Sequence, residues 1–589
     1  MGEATLPKLS QELSKQYSGP SVREDGSYEF VILAPGKLSV SLTFSNDGLN
    51  WFTREMSLNH AGEYQQFECD IKPGARYWYI INGKDGYPDP WSRCQPDGPH
   101  EASQIVSDVN YTWSDDTWCG RPWSEAVIYE LHVGTFTSEG TFLAAISQLD
   151  HLQKLGVTVL QIMPVWTCPQ GQSWGYDANY MFSANADYGT PDDFKDLVDK
   201  AHQRGIQVVL DVIYNHLGIE GNYLSKFNEN WVSPDPGNKW GATLNFDGQG
   251  CEPVREMVVS NALFWLQEYH LDGLRIDAPI EIKDNSKTHI LKEMALAIRA
   301  EFSPERHIHL ILENDHYTGR FELEGDNPLY NASININGGE CLIKLVNPDI
   351  GKPSAKEIHT LMESLKGGIG FEFTSRLPAG PNIAEILHSD RQILGAQNHD
   401  LVGNQPESQR IWAMLDPKWH ELVLAIMCLS PSVPTFFMGD EFGCEQAFPF
   451  FCNYSDVSES DVLGGRAQEF EYSKNTEGYY PPYSKGTVDV AIIKWPTDNG
   501  LSDSANYRTI RQLLEMRQQF IQPLCVENRI VSSKYECEEN SHRVFWSYRS
   551  GERLVFEYSV HAPANIKSKK NFIYHLDGEV WSAGWWIEK

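Results

Sequence analysis

The chain has 589 residues, 41% hydrophobic and 22% charged, a formal net charge of −32 and no low-complexity block. That balance excludes a disordered chain, and an acidic surface that repels phosphates excludes nucleic acid and anionic membrane as natural partners. At roughly 100–200 residues per domain, the length predicts one large domain with smaller attachments.

The opening segment MGEATLPKLSQELSKQYSG lacks the apolar core of a signal peptide, and no later run approaches the ~20 apolar residues of a membrane span, so a cytoplasmic protein is expected. Eleven cysteines are scattered singly, without CxxC or His-Cys clustering, which indicates neither a disulfide framework nor a zinc site; most are expected to be buried thiols.

From about Ser27 to Tyr111, the alternating segments YEFVILAP, KLSVSLTF, YQQFECDI and ARYWYIING are broken by turn residues, which predicts an antiparallel β-sandwich. The stretch YPDPWSRCQPDGPHE reads as an extended linker laid over the next domain. Beyond Trp118 strands and helices alternate, the signature of a parallel sheet with crossover helices. AVIYELHVGTF is a strand, FLAAISQLDHLQKLG a helix with Phe142, Ile146, Leu149 and Leu152 on one face, and TVLQIMPV the next strand. The helix DDFKDLVDKAHQRG, acidic in its first turn and stopped by Gly205, leads into the strand IQVVLDVIYNH.

Helix EPVREMVVSNALFWLQEYH, strand DGLRIDA, helix KTHILKEMALAIRAEF and strand HIHLILEN follow, and RQILGAQNHD and VPTFFMGDE are later strands. Seven such strands over roughly 390 residues predict a (β/α)₈, or TIM, barrel with insertions. After the helix YRTIRQLLEMRQQF, the segments RIVSSKYEC, HRVFWSYR and RLVFEYSV predict a small C-terminal β-domain. The expected division is an Ig-like sandwich over 1–117, the barrel over 118–522 and the β-domain over 523–589.

Active sites of such barrels lie at the C-terminal ends of the strands. There DVIYNH ends in Asn215 and His216, DGLRIDA carries Asp277, HIHLILEN carries Glu313, and AQNHD ends in His399 and Asp400. One Asp after an apolar run is an ordinary turn or cap residue. Four polar strand ends, in order and on one rim, point to chemistry. Arg275 lies two residues before Asp277 and so projects to the same side, where a guanidinium favours the carboxylate that a nucleophile must be. Glu313, among other carboxylates in a partly dry cleft, is expected to hold its proton as an acid does. Asp211 reads as an orienting residue and His132, inside the first strand, as a hydrogen-bonded core residue, while Trp166 and Trp174 either line the cleft or pack in the core or at the rim.

DVIYNH, GLRIDA, the ILEN segment and QNHD resemble the four signature segments of the α-amylase superfamily, glycoside hydrolase family 13. The resemblance implies retaining hydrolysis of α-glucosidic bonds, with no metal or organic cofactor. It implies that Asp277 attacks the anomeric carbon, that Glu313 protonates the leaving oxygen, and that Asp400 orients and stabilises the distorted sugar. Arg275, His216 and His399 match positions that contact the nucleophile or the sugar hydroxyls, and Tyr176, in SWGYD, matches a tyrosine that stacks under the sugar.

Further segments, among them EAVIYELHVGTFTSEGTF, WGYDANYMFSANADYGTPDDF and QNHDLVGN, are similar to the trehalose-releasing branch of that superfamily, which implies an α-glucan or maltooligosyl-trehalose as substrate. The same resemblance makes Asp284, Ser286 and His289, in PIEIKDNSKTH, contacts beyond the scissile bond. YNASININGG, from Tyr330 to Gly339, departs from the branch's Trp-Asn-Asp-Asp pattern, and the cleft is expected to differ there. A branching, debranching or amylase-type activity is the alternative within the superfamily. A non-catalytic glucan-binding protein is the alternative outside it, and the presence of all three carboxylates speaks against it.

Overall fold

The computed structural model describes residues 19–588 apart from 60–62, 107–110, 170, 178, 234–239, 314–328, 347–352, 368–388, 406, 415, 456, 458, 471–479, 497–499, 528–529, 561–571 and 579–580. Eight parallel strands close into a barrel in chain order: Ile128–Leu131, Val159–Ile162, Gln207–Val212, Gly273–Ile276, His309–Leu312, Ala332–Ile334, Gln392–Leu394 and Val433–Phe437. The first pairs with both the second and the eighth, which completes the closure.

Strand side chains alternate with period two, and the lumen uses that alternation. Ile128, Val159, Val209, Ile311, Ala332, Ile393 and Val433 form an apolar cluster separate from the main core. Two residues beyond three of them, on the same face, stand Glu130, Asp211 and Glu313. An apolar plug therefore underlies a layer of charged groups nearer the C-terminal ends of the strands. The main core lies between the outer faces of the strands and helices such as Pro191–His202, which puts Phe194, Leu197, Val198 and Ala201 inward and opens with a capping box between Thr190 and Asp193.

Two sequence expectations need correction. The segment from Tyr330 contains the sixth strand, Ala332–Ile334, which the seven expected strands did not include. Asn331, at its start, accepts from Arg299 Nη2 at 2.8 Å and Leu310 N at 3.0 Å, and Asn335, just past its end, bonds to Gln392, Ser364 and Gly338 N. The helix after the first strand is two helices, Phe142–Ile146 and Leu149–Leu155, separated at Ser147 and Gln148.

Two antiparallel sheets precede the barrel. Strands Tyr28–Leu33 and Arg76–Ile81 alternate buried and half-buried residues, and Phe30 meets Tyr77 edge-on at 5.3 Å between the sheets. The linker rests on the barrel, since Gln95 N donates to Ser183 Oγ at 3.1 Å and Tyr180 OH to Pro99 O at 2.6 Å. A five-stranded antiparallel sheet ends the chain, in the order Ile530–Glu538, Ser541–Tyr548, Arg553–Val560, Trp581–Glu588, Phe572–Asp577. Trp546 Nε1 donates to Ser389 Oγ at 2.8 Å and so fastens that sheet to the barrel.

At the N-terminal end of the barrel, the chain entering it is held by a buried cluster. His202 lies 2.8 Å from Asp115 through Nδ1 and 2.9 Å from Asp272 through Nε2. Arg306 also pairs with Asp272, which accepts further from Trp118 Nε1 and Val208 N, each at 2.8 Å. All eleven cysteines are free, five of them buried, which is fewer than expected. Among the described residues, no helix is long and apolar enough to cross a membrane.

Candidate active site

Arg275, 1% exposed on the fourth strand, organises the C-terminal end of the lumen. Its Nη1 donates to Asp211 Oδ2 at 2.7 Å and to Asp277 Oδ1 at 2.9 Å, and Nη2 stands 3.4 Å from Glu313 Oε1. The other oxygen of Asp277 accepts from Asn215 Nδ2 at 2.7 Å. Asn215 Oδ1 is in turn bonded to His216 Nδ1, whose Nε2 lies 3.0 Å from the Tyr176 carbonyl. Asp277 is thus held at both oxygens.

Glu313 is differently placed. Its Oε2 accepts from the backbone N–H of Ala278, the residue after Asp277. Ala278 sits at φ +36°, ψ +56°, a left-handed conformation uncommon for a residue with a side chain. Burial, followed by the charges of Asp277 and Asp400, outweighs Arg275 and lifts the Glu313 pKa to about 8. One carboxyl is held by donors while its neighbour keeps its proton, the division of labour a glycosidase needs.

The third carboxyl, Asp400, is the most open of the three, with 37% of its side chain exposed. Its Oδ1 accepts from Asn404 Nδ2 at 2.9 Å, and Arg466 Nη2 lies 3.1 Å from Asn404 Oδ1. Its Oδ2 is 3.3 Å from His399 Nε2. Burial alone would lower the His399 pKa, but Asp400 and Glu130 outweigh it and raise the value to about 9.

Tyr176 closes the ring: its hydroxyl is 2.7 Å from Asp211 Oδ2 and 2.8 Å from His399 Nε2, and its ring stacks on the imidazole at 5.2 Å. The turn before it requires Gly175, at φ +97°, where a Cβ would stand 2.4 Å from the Pro164 carbonyl oxygen.

The structure therefore brings together Asp277, Glu313, Asp400, Arg275, His216, His399 and Tyr176. It does not bring Asp284, Ser286 and His289 to them. Asp284 Oδ2 pairs with Arg255 Nη1 at 2.8 Å and accepts from Ile290 N at 2.6 Å. Ser286 Oγ donates to Thr288 O at 2.8 Å, and His289 Nδ1 accepts from Leu291 N at the start of helix Ile290–Glu301. Those bonds shape the loop and its helix start, and a sugar would have to compete with them.

Trp174 and His132 pack at the rim, Trp174 Nε1 donating to Pro449 O at 3.1 Å and His132 bonding to Thr135 and Ser173. The residue that sequence reasoning missed is Glu130, whose Oε1 and Oε2 meet His399 Nδ1 at 2.9 Å and His399 N at 3.1 Å. Its signal was a lone acid within the apolar strand AVIYEL.

Residues 87–240 match the Alpha-amylase family, described as the alpha amylase catalytic domain. A malto-oligosyltrehalose trehalohydrolase of Saccharolobus solfataricus is 34% identical over 82% of this chain and 84% of its own length, and one of Deinococcus radiodurans is 32% identical over 79% and 78%. Among solved structures, a Salmonella typhimurium protein provisionally described as an α-amylase superposes with a TM-score of 0.85 at 28% identity, covering 97% of this chain and 99% of that one. A pullulanase of Anoxybacillus sp. LM18-11 complexed with maltotetraose, 16% identical, shares the fold at a TM-score of 0.69 over 98% and 89%. On this likeness across most of both chains, the protein belongs to the malto-oligosyltrehalose trehalohydrolases, within the α-amylase superfamily of glycoside hydrolases.

Proposed function

We propose that this chain hydrolyses the α-1,4 bond between a maltooligosyl chain and its terminal trehalose unit, releasing trehalose, with retention of configuration. Asp277 attacks the anomeric carbon and forms the glycosyl-enzyme, while Glu313 gives its proton to the leaving oxygen and then, as a carboxylate, takes one from the incoming water. Asp400, the open carboxyl beside His399, binds the hydroxyls of the distorted sugar, and Tyr176, His216 and Arg275 complete that subsite. The chemistry is assigned to residues 118–522, with 1–117 and 523–589 as flanking domains.

The observation that carries this reading is the contrast on one guanidinium. Arg275 touches Asp277 and Glu313 together, yet Asp277 has donors on both oxygens and Glu313 has its pKa lifted to about 8. Nucleophile and acid are thereby distinguished before substrate arrives.

The deciding experiment is product analysis after incubation with maltotriosyl-trehalose and, in parallel, maltopentaose. Trehalose released selectively from the first supports the reading. Cleavage of both, or longer or branched products, moves the substrate assignment to an amylase or transferase activity and leaves the carboxylate roles standing.

A further inference from the structure

Glu130 has no place in the bond-breaking roles above, yet it is a carboxylate with its side chain 3% exposed at the floor of the site. Its partners fix the state of the groups above it. His399 donates its backbone N–H to Oε2 and faces Oε1 through Nδ1, and Gln161 Nε2 adds a bond to Oε1 at 3.2 Å. A carboxylate only accepts, so Nδ1 carries a hydrogen.

The other ring nitrogen has two oxygens near it, Tyr176 OH at 2.8 Å and Asp400 Oδ2 at 3.3 Å. The direction of the Tyr176 bond follows from Asp211. Its Oδ2, a carboxylate oxygen held at 2.7 Å by Arg275 Nη1, accepts from the Tyr176 hydroxyl at 2.7 Å. The tyrosine hydrogen is then committed to Asp211, and its oxygen can only accept from His399.

We propose that Glu130 is a positioning residue that keeps both ring nitrogens of His399 protonated and thereby sets the direction of a hydrogen-bond chain running His399, Tyr176, Asp211, from which Arg275 continues to the Asp277 nucleophile. This inference rests on the catalytic reading of Asp277 and Asp400. The ionisable groups facing or close to the imidazole agree with it. Glu130 and Asp400 favour the cation and Asp211 adds to them, Tyr176 offers its oxygen, Arg275 opposes, and burial holds His132 down at about 4, adding no competing charge at neutral pH. Without the Glu130 charge, His399 loses a proton. Tyr176 is then free to turn its hydrogen toward Nε2, and Asp211 and Asp400 each lose a donor.

The test is a nitrogen NMR spectrum of protein labelled with ¹⁵N-histidine near neutral pH, with the His399 signals assigned by their loss in His399→Gln. Wild type should show both nitrogens protonated, and Glu130→Gln should show one of them bare. In turnover, Glu130→Gln should lower kcat about 10- to 100-fold, the range seen when a carboxylate that orients a metal-bound histidine is lost, with KM within about threefold, and should bring the His399 titration down toward 6.5, its ordinary value.

A bare nitrogen in wild type near neutral pH overturns the proposal, as does a Glu130→Gln protein whose His399 remains doubly protonated. Where the variant does not fold, a bare nitrogen in the wild-type spectrum still overturns the proposal. That spectrum needs no substrate, so a failure to release trehalose would revise the proposed function without touching this result.

Discussion

Two histidines, one at each end of the barrel, are each clamped between two carboxylates, and they do opposite things. His202, at the N-terminal end, sits between Asp115 and Asp272, whose side chains are 4% and 0% exposed. Every oxygen of Asp272 is taken, by Trp118, Arg306, His202 and Val208 N, and His202 with Arg306 outweighs burial to hold its carboxyl down at about 2. His399, at the C-terminal end, shares the pairing, but its outer carboxylate Asp400 opens to the cleft and a neighbouring carboxyl, Glu313, is pushed the other way, to about 8. Satisfying every partner makes a clasp. Leaving an acid with its proton and a carboxylate facing solvent makes a reactive site.

The sharpest way to break this contrast is to substitute one carboxylate at each end. Asp277→Asn should lower kcat by on the order of 10⁴- to 10⁶-fold with little change in melting temperature. Residual turnover near the wild-type value would remove Asp277 as nucleophile. Asp272→Asn should do the reverse, costing about 3–5 kcal/mol in urea unfolding by leaving His202 and Arg306 against a neutral amide, with kcat of the folded fraction unchanged. A catalytic loss without destabilisation would erase the distinction between the two ends.

Titration separates them more finely. The raised Glu313 pKa means the acid form is full below its ordinary value of 4.5 and is lost as pH rises through about 8, so kcat/KM should fall on that alkaline limb. By linkage the fold also loses stability over the same rise, since the folded chain keeps a proton that the unfolded chain has released. His202 also has its pKa raised, since Asp272 and Asp115 outweigh burial, so its stabilisation is fully present below 6.5 and is lost as pH climbs through the raised value. Thermal melts of wild type and His202→Gln should therefore converge with rising pH, and a constant gap would refute the charged clasp. The smallest effect is expected at Ser286→Ala, under about 0.5 kcal/mol and with KM within about twofold. A larger rise in KM would return the Asp284 loop to the substrate.

Much of this is legible in the sequence. The two-residue spacing of Arg275 and Asp277 placed both in the lumen, and four polar strand ends marked the rim. The sixth strand was not legible, because Ala332–Ile334 spans three residues among asparagines and glycines, too short for a period to register. Its hydrogen bonds come from the neighbouring strands rather than from its own pattern. Glu130 escaped notice for a related reason. Its meaning depends on His399, 269 positions later in the chain. Asp284, Ser286 and His289 were chosen by likeness to other sequences, and local helix-start bonding, which any polar loop can supply, accounts for where their side chains stand.

Ala278 bears on how this protein could be altered. A left-handed alanine costs about 1–3 kcal/mol that glycine would not incur, and selection for durability alone favours the glycine. The alanine's amide donates to Glu313, so the strained position is also the one that holds the proposed acid. A screen for heat-resistant variants would be drawn to this position, and Ala278→Gly, which keeps both the bend and its amide, should yield a hardier protein that works no more slowly.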